Sequence, residues 1–326
     1  MNLVPRRFQN ITKELSEEQA EQLRHPIEPG YTVEVKPPKD KDIPTTLTRF
    51  VRGITEIQTK WLKTRNVSPI TAFEIRRSTP SQIRFQYTVP TKRLERKLRT
   101  HLTTEIPGVK FDTGTKGLPV TAEDAVGGGY LSAGRMDCYP FRTSFDDPPM
   151  NSVATSLHRH AMQDTKVVIQ LLFQPVAGKP LRRWYWKRRA YQRRNYLKKE
   201  KEKLWGSRSP TKREKTQAQQ VEAKAGSKRF HTSIRFAVIG AQEYTPSRIK
   251  ELAGGFNIYE NRDSGQYLDI TTLSPVLENR LIQFCQAIAN RRFQGWSRSF
   301  HTSTKELSAL VSLPNQPMKN IENAQP

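Results

Sequence analysis

The sequence predicts an α+β fold: two ferredoxin-like units of mostly antiparallel sheet with helices packed on one side, joined by a long basic helix. Three observations predict it. Ala72-Phe73-Glu74-Ile75-Arg76 and Ile83-Arg84-Phe85-Gln86-Tyr87-Thr88-Val89 both alternate apolar with polar residues, and Ser78-Thr79-Pro80-Ser81 between them is a turn cluster, so the pair reads as a β-hairpin. A helix follows directly, with Leu94, Leu98 and Leu102 on one face and Thr91 as its N-cap. The same alternation of strands and helices continues to the end of the chain.

The elements follow in order. Residues 1–45 are polar and proline-rich, with one helix near residues 16–23, and read as an arm or extended linker. Leu47, Phe50, Val51, Ile54, Ile57 and Leu62 recur at helical spacing, which predicts a helix over residues 44–62. After the hairpin and its helix, Pro107-Gly108 stops the helix and Val109-Lys110-Phe111 returns as a short strand. Residues 114–134 are glycine-rich around Gly127-Gly128-Gly129. They lack the G-x-x-x-x-G-K-[ST] spacing that cradles a phosphate, and read as a flexible excursion between strands. Residues 138–144 read as a strand and residues 151–163 as a helix with Val153, Leu157 and Ala161 on one face. Val167-Val168-Ile169-Gln170-Leu171-Leu172-Phe173-Gln174-Pro175 is a near-continuous apolar run of strand length, closing a first unit of order β-β-α-β-β-α-β.

The basic helix covers residues 180–199, and the polar stretch behind it, residues 212–225, has good helix propensity but no visible apolar face, so it reads as mobile or solvent-bridging. A second unit opens with the strand at residues 230–240. Pro246 starts a helix buried through Ile249, Leu252, Ala253 and Phe256, and residues 266–270 form a strand. A long amphipathic helix, capped at Ser274-Pro275, carries Leu277, Leu281, Phe284, Ile288 and Phe293. The expected organisation is an N-terminal arm and helix (1–67), a first α+β unit (68–178), the basic aromatic helix and polar linker (179–229), a second α+β unit (230–314) and a tail (315–326).

Charge points to the partner. In 326 residues, 55 Lys and Arg face 31 Asp and Glu, a net charge of +24. Such an excess says nothing about fold but predicts a polyanionic partner, nucleic acid first and an anionic membrane surface second. Between Lys179 and Arg229, 19 Lys or Arg stand against 4 Glu, and this clustering marks a dedicated surface. The candidate nucleic-acid-binding residues are Arg182, Arg183, Lys187, Arg188, Arg189, Arg193, Arg194, Lys198 and Lys199; Trp184 and Trp186 are candidates for base stacking. The competing reading packs the aromatics into the core, with the arginine stems lying over them.

Other chemistry is sparse. His158-Arg159-His160 is not half of a metal site, because on a helix residues i and i+2 point about 200° apart. Asp146-Asp147 precedes a helix, where carboxylates complement the dipole. Cys138 and Cys285 have no partner spacing and fit two isolated thiols in a reducing compartment. No nucleophile motif, Cys-x-x-Cys pair or spaced histidine set appears, so neither an enzyme nor a bound cofactor or metal is expected. A nuclease or relaxase reading would need metal-dependent nicking by the purified chain. With no apolar h-region at the N-terminus and no long apolar run, the expected location is cytoplasmic, peripheral to the inner face of the membrane if lipid is the partner.

Assembled in order, several short motifs carry a resemblance. They are Phe73-Glu74-Ile75; Ile83 to Val89 with Pro90 and the helix after it; Glu105-Ile106-Pro107-Gly108-Val109; Ile169-Gln170 with Pro175; the strand opening at Phe230; and Lys305-Glu306-Leu307-Ser308-Ala309-Leu310 with Leu313-Pro314. Together, over residues 70–315, they resemble the region preceding the motor domain of archaeal and candidate-phylum bacterial conjugative-transfer ATPases, type IV secretion-like members of the HerA/FtsK superfamily. The resemblance implies a non-catalytic accessory domain of a DNA-translocation apparatus. Its implied partners are DNA, a motor ATPase domain or subunit, a membrane-surface complex and further copies of itself. No nucleotide-binding motif follows before Pro326, so ATP hydrolysis does not carry over, and the motor is expected on a separate polypeptide or beyond a truncation. The alternative is a scaffold that sets the same basic patch against anionic lipid or an acidic protein.

Overall fold

The two longest strands, Lys166–Pro175 and Arg229–Ile239, pair antiparallel from Lys166 opposite Ile239 to Pro175 opposite Phe230. The rest of the sheet is built outward from this pair. The computed structural model describes residues 11–27, 30–38, 43–62, 64–79, 82–157, 165–203, 206–277, 279–293 and 298–315. His158 and His160 lie outside the described residues.

In chain order the elements are β1 (Lys13–Glu14), α1 (Glu17–Arg24), β2 (Tyr31–Lys36), α2 (Thr48–Ile54), β3 (Thr59–Lys60), β4 (Arg65–Asn66), β5 (Thr71–Thr79), β6 (Gln82–Val89), α3 (Lys92–Glu105) and β7 (Lys110–Thr113). Then come β8 (Ala125–Ala133), α4 (Met150–Leu157), β9 (Lys166–Pro175), α5 (Pro180–Lys198), β10 (Lys201–Lys203), β11 (Gly206–Arg208) and α6 (Lys212–Gly226). The chain continues with β12 (Arg229–Ile239), α7 (Thr245–Gly254), β13 (Leu268–Thr272), α8 (Asn279–Ala289), β14 (Phe300–Ser303) and α9 (Thr304–Leu310). The main sheet runs β1-β8-β12-β9-β5-β6-β2-β7, with β13 on β8 and β14 on β12, and its pairings are antiparallel.

The α+β class is as expected, and β5 and β6 pair as the expected hairpin, with Phe73 opposite Tyr87 and Ile75 opposite Phe85. Three differences have physical causes. The segments 68–178 and 230–314 share one sheet, because β9 and β12 are buried on both sides and join edge to edge. Helices cover both faces rather than one. Phe73, Phe85, Ile169 and Phe236 meet α2, α3, α7 and α9 on one side, whereas Val126, Val168 and Ala237 meet α1 and α8 on the other. The unbroken apolar run of β9 is the sequence sign of a strand covered twice.

The glycine-rich excursion is instead β8, a buried central strand. A Cβ on Gly128 would sit 2.5 Å from the Phe284 ring of α8, and one on Gly129 would sit 3.0 Å from Ile249 of α7. The glycines are there so that helices can approach the sheet from both sides.

Other boundaries move for local reasons. Residues 138–144 form no strand; they are a loop whose Cys138, Tyr139 and Phe141 are buried. The helix expected over 44–62 is only α2, and the β3–β4 ribbon follows it with Ile57 and Leu62 exposed. The long helix of the second unit shortens to α8, leaving Leu277 exposed before it. Residues 13–14 and 31–36 of the supposed arm belong to the sheet as β1 and β2. Among the described residues no helix is long and apolar enough to cross a membrane.

Candidate nucleic-acid interface

Between the two central strands the chain leaves the sheet as a helical hairpin, α5 and α6, closed at its far end by the β10–β11 ribbon. The exit is a sharp turn. Gly178 and Lys179 both take positive φ, the Lys179 N–H donates to the Thr64 carbonyl at 2.7 Å, and Asn66 donates to the Pro175 carbonyl at 2.8 Å. Pro180 then opens α5, its ring already set for the first helical turn. The β3–β4 ribbon thus brackets the start of the helix.

α5 holds eight Lys or Arg in 19 residues and no acid. Its inward stripe is Trp186, Ala190, Arg193 and Leu197, at spacings of four, three and four. Opposite it, α6 buries Gln217, Ala218, Val221, Lys224 and Ala225, at the same helical repeat. The apolar stripe that the sequence seemed to lack is therefore built of alanines and one valine, small enough to let the helices lie close. Lys224 donates to Glu306 of α9 at 2.8 Å, with both side chains buried, and Glu306 also accepts the Phe141 backbone N–H at 2.8 Å. The hairpin is thereby pinned to the body of the protein.

The nine predicted cations divide into two groups. Arg193 donates to the Tyr139 hydroxyl at 2.6 Å and lies over the Tyr139 and Tyr196 rings. Arg194 and Lys198 both pair with Glu222 of α6, at 2.5 and 3.2 Å. These three hold the hairpin together. Arg182, Arg183, Lys187, Arg188, Arg189 and Lys199 are exposed and form no ion pair among the described residues. Arg188 lies 5.1 Å from the Trp184 ring and Arg189 5.8 Å from the Tyr185 ring, cations stacked on rings that themselves face solvent.

The two tryptophans also separate. Trp184 is exposed, and its ring is open to a partner on one side. Trp186 is half-buried: its indole N–H donates to Asp137 at 2.7 Å, its ring meets His301 edge-on, and the Arg229 guanidinium lies 3.7 Å from its centre. The expectation that the aromatics belong to the core holds for Trp186 and fails for Trp184, Tyr185 and Tyr196, which are more than half exposed.

Beneath α5 lies a cavity of about 630 Å³, bounded by the helix, the 136–138 loop and the paired ends of β12 and β14. His231 and His301 stand directly opposite one another on those strands, ring centres 4.8 Å apart. Burial pushes the His301 imidazole down to about 4 despite the nearby Asp137 carboxylate, and burial with the charges of Lys179 and Arg229 pushes His231 down as well. Both are therefore neutral near neutral pH. Asp137 joins the elements: one oxygen accepts the Trp186 N–H and the other the His301 backbone N–H at 3.1 Å. Burial raises the neighbouring Cys138 thiol, which is free, as is Cys285. No group of three or more His, Cys, Asp and Glu among the described residues could hold a metal ion.

Residues 5–326 match a family described only as a domain of unknown function, DUF8128. The chain belongs to the DUF8128 family. No curated protein matches it.

Sequence reasoning missed Asp137, His231 and His301 because no motif joins them. They meet only when the β12–β14 pairing and the 136–138 loop close under α5. His231 gives no signal of its own, since its strand also carries Thr232, Ser233 and Arg235.

Proposed function

We propose that this chain is a non-catalytic module that grips nucleic-acid phosphates with the exposed flank of α5, as an accessory domain of a DNA-translocation apparatus. The observation that carries the reading is the group Arg182, Arg183, Lys187, Arg188 and Arg189: five cations on an acid-free helix, none engaged in an ion pair among the described residues. Unpaired arginines on a rigid helix are pre-organised for phosphate oxygens and release counterions when they bind. Docking on a motor ATPase or its membrane partners rests on the resemblance to the pre-motor region of conjugative ATPases. It is tested by co-purification with a motor domain of that class.

The primary test is a fluorescence-anisotropy titration with labelled DNA. The five-fold Glu variant at these positions loses binding, and the wild-type affinity falls by ~10³–10⁵ between 50 and 200 mM salt if about 6–10 phosphates are contacted. Binding that ignores both changes refutes the proposal.

One observation favours a second reading. Trp61 and Leu62, at the tip of the β3–β4 ribbon, are 76% and 100% exposed, and both take the left-handed backbone conformation that bulky residues avoid. An apolar tip beside Lys60 and Arg65 suits the interface of an anionic bilayer. Flotation with anionic vesicles of a Trp61→Ser, Leu62→Ser variant, which leaves α5 intact, separates the readings: loss of flotation with DNA binding kept supports a tip that enters the bilayer, and flotation equal to wild type refutes it.

A further inference from the structure

We propose that the cavity beneath α5 receives one unstacked base of single-stranded nucleic acid, with the adjoining phosphates held by the cations of the helix. The inference rests on the phosphate-binding reading and adds to it a choice of strand form.

The argument begins with helical spacing. Arg182, Tyr185, Trp186 and Arg189 fall at i, i+3, i+4 and i+7, so two exposed guanidiniums border the same opening that two aromatic rings wall. The volume of about 630 Å³ falls within the range of small-ligand pockets. Its lining is largely apolar, with Met136 and Leu181 beside the rings.

The polar groups inside select the ligand. His231 and His301 line the cavity and are neutral near neutral pH, so each imidazole offers one donor and one acceptor. His301 Nδ1 is buried without a hydrogen bond; the Asp137 carboxylate, 3.5 Å away, makes none with it. A buried polar atom without a partner is costly, and a ligand that supplies the partner relieves that cost. The Asp137 carboxylate disfavours an anion beside the histidine pair, with Arg229 on the Trp186 ring offsetting part of its charge, whereas Arg182 and Arg189 are exposed on α5 and favour an anion there. The matching ligand is flat, neutral and hydrogen-bonding at its inner end, and anionic at its outer end. A nucleobase with its phosphate has that distribution, and only an unstacked strand can present the base edge-first.

An acyl chain fits less well, since it would leave the two neutral imidazoles of the lining without hydrogen-bond partners. Stacking of one base is worth a loss of about fivefold to a hundredfold when the aromatic is removed.

The experiment uses the full chain and two probes of one sequence, a labelled 20-nucleotide single strand and its duplex, at fixed salt. The wild type should prefer the single strand. Tyr185→Ala, at an exposed position, should lower single-strand affinity by about tenfold or more and leave duplex affinity unchanged. Met136→Trp, which fills the cavity from its half-exposed rim, should do the same while keeping the five free cations. Equal loss on both probes, or no loss on either, overturns the base pocket while duplex binding keeps the phosphate reading alive. Failure of the wild type to bind either probe overturns the phosphate reading and the pocket with it.

Discussion

Two regions of this protein are rich in arginine, and they do opposite things with it. On the α8 side of the sheet, Glu74 is fully buried and accepts from Arg76 at 3.0 Å, from Arg291 at 2.9 and 3.2 Å, and from Gln86 and Gln170 at 2.6 and 2.7 Å. Arg235, also buried, donates to the carbonyls of Arg292 at 2.8 Å and Ala287 at 3.2 Å, closing the end of α8, and to Gln170. Arg76 and Arg291 reach the Gly117 and Thr115 carbonyls of the loop that covers them. Each of these guanidiniums is held by acceptors inside the fold. On α5, five exposed cations form no ion pair among the described residues, and three of them, Lys187, Arg188 and Arg189, lie over aromatic rings. Composition is the same in kind; what differs is how the hydrogen bonds are accounted for, and that accounting separates an arginine that builds the fold from one available to a partner.

The comparison predicts opposite responses to substitution, and the largest concerns the buried cluster. Glu74→Ala leaves Arg76 and Arg291 without a counter-charge in a dry interior and should cost about 3–5 kcal/mol, a large share of a typical total stability of about 5–15 kcal/mol. The denaturation midpoint measures it; a shift of the size usual for surface sites would mean that the cluster is open to water. The five-fold Glu variant on α5 is the converse. It should abolish nucleic-acid binding, while stability, read in the same urea titration, stays within about 1 kcal/mol. If that variant unfolds instead, the flank is structural and the contrast collapses.

A smaller effect tests the sheet that positions both regions. Gly128→Ala drives a methyl to 2.5 Å from the Phe284 ring and 2.6 Å from the Phe236 carbonyl, and should cost about 1–3 kcal/mol without touching α5. Its effect on nucleic-acid affinity at a temperature where it is folded should be nil.

These positions also show what could be read from the chain alone. The β5–β6 hairpin, α3 and α5 were legible because their signals are local: alternation, a turn cluster, an N-cap, an opening proline. β8 was not legible, since a glycine run looks flexible until two helices are seen pressing on it. α6 was misread because alanine contributes little hydrophobicity yet packs well where helices are close. The candidate site was half visible. Local composition pointed to the cations, but which of them are free depends on Glu222 and Tyr139, far away in sequence. Nothing local could announce the histidine pair.

The last prediction sets the two regions against each other in a single acid titration. In the unfolded chain His301 takes up a proton near its ordinary 6.5, whereas in the folded protein burial delays this to about 4. Between those values the unfolded state binds more protons, so the stability contributed around His301 is present above 6.5 and is lost as pH falls through 4. Glu74 behaves likewise further down. Burial would raise it, but the charges of Arg291 and Arg76 and the amide of Gln170 outweigh burial and hold it near 2, so its contribution is present above 4.5 and is lost as pH falls through 2. Acidification should therefore loosen the α5 side first. Fluorescence of Trp186, isolated in a Trp184→Phe variant and corrected for the remaining tryptophans with Trp186→Phe, should change between pH 6.5 and 4, before far-ultraviolet circular dichroism falls below 4.5. A His231→Phe, His301→Phe double variant should remove the first change and keep the second, since burial also lowers His231. A single coincident transition would mean that the cationic hairpin and the arginine-locked sheet open together, as one cooperative unit.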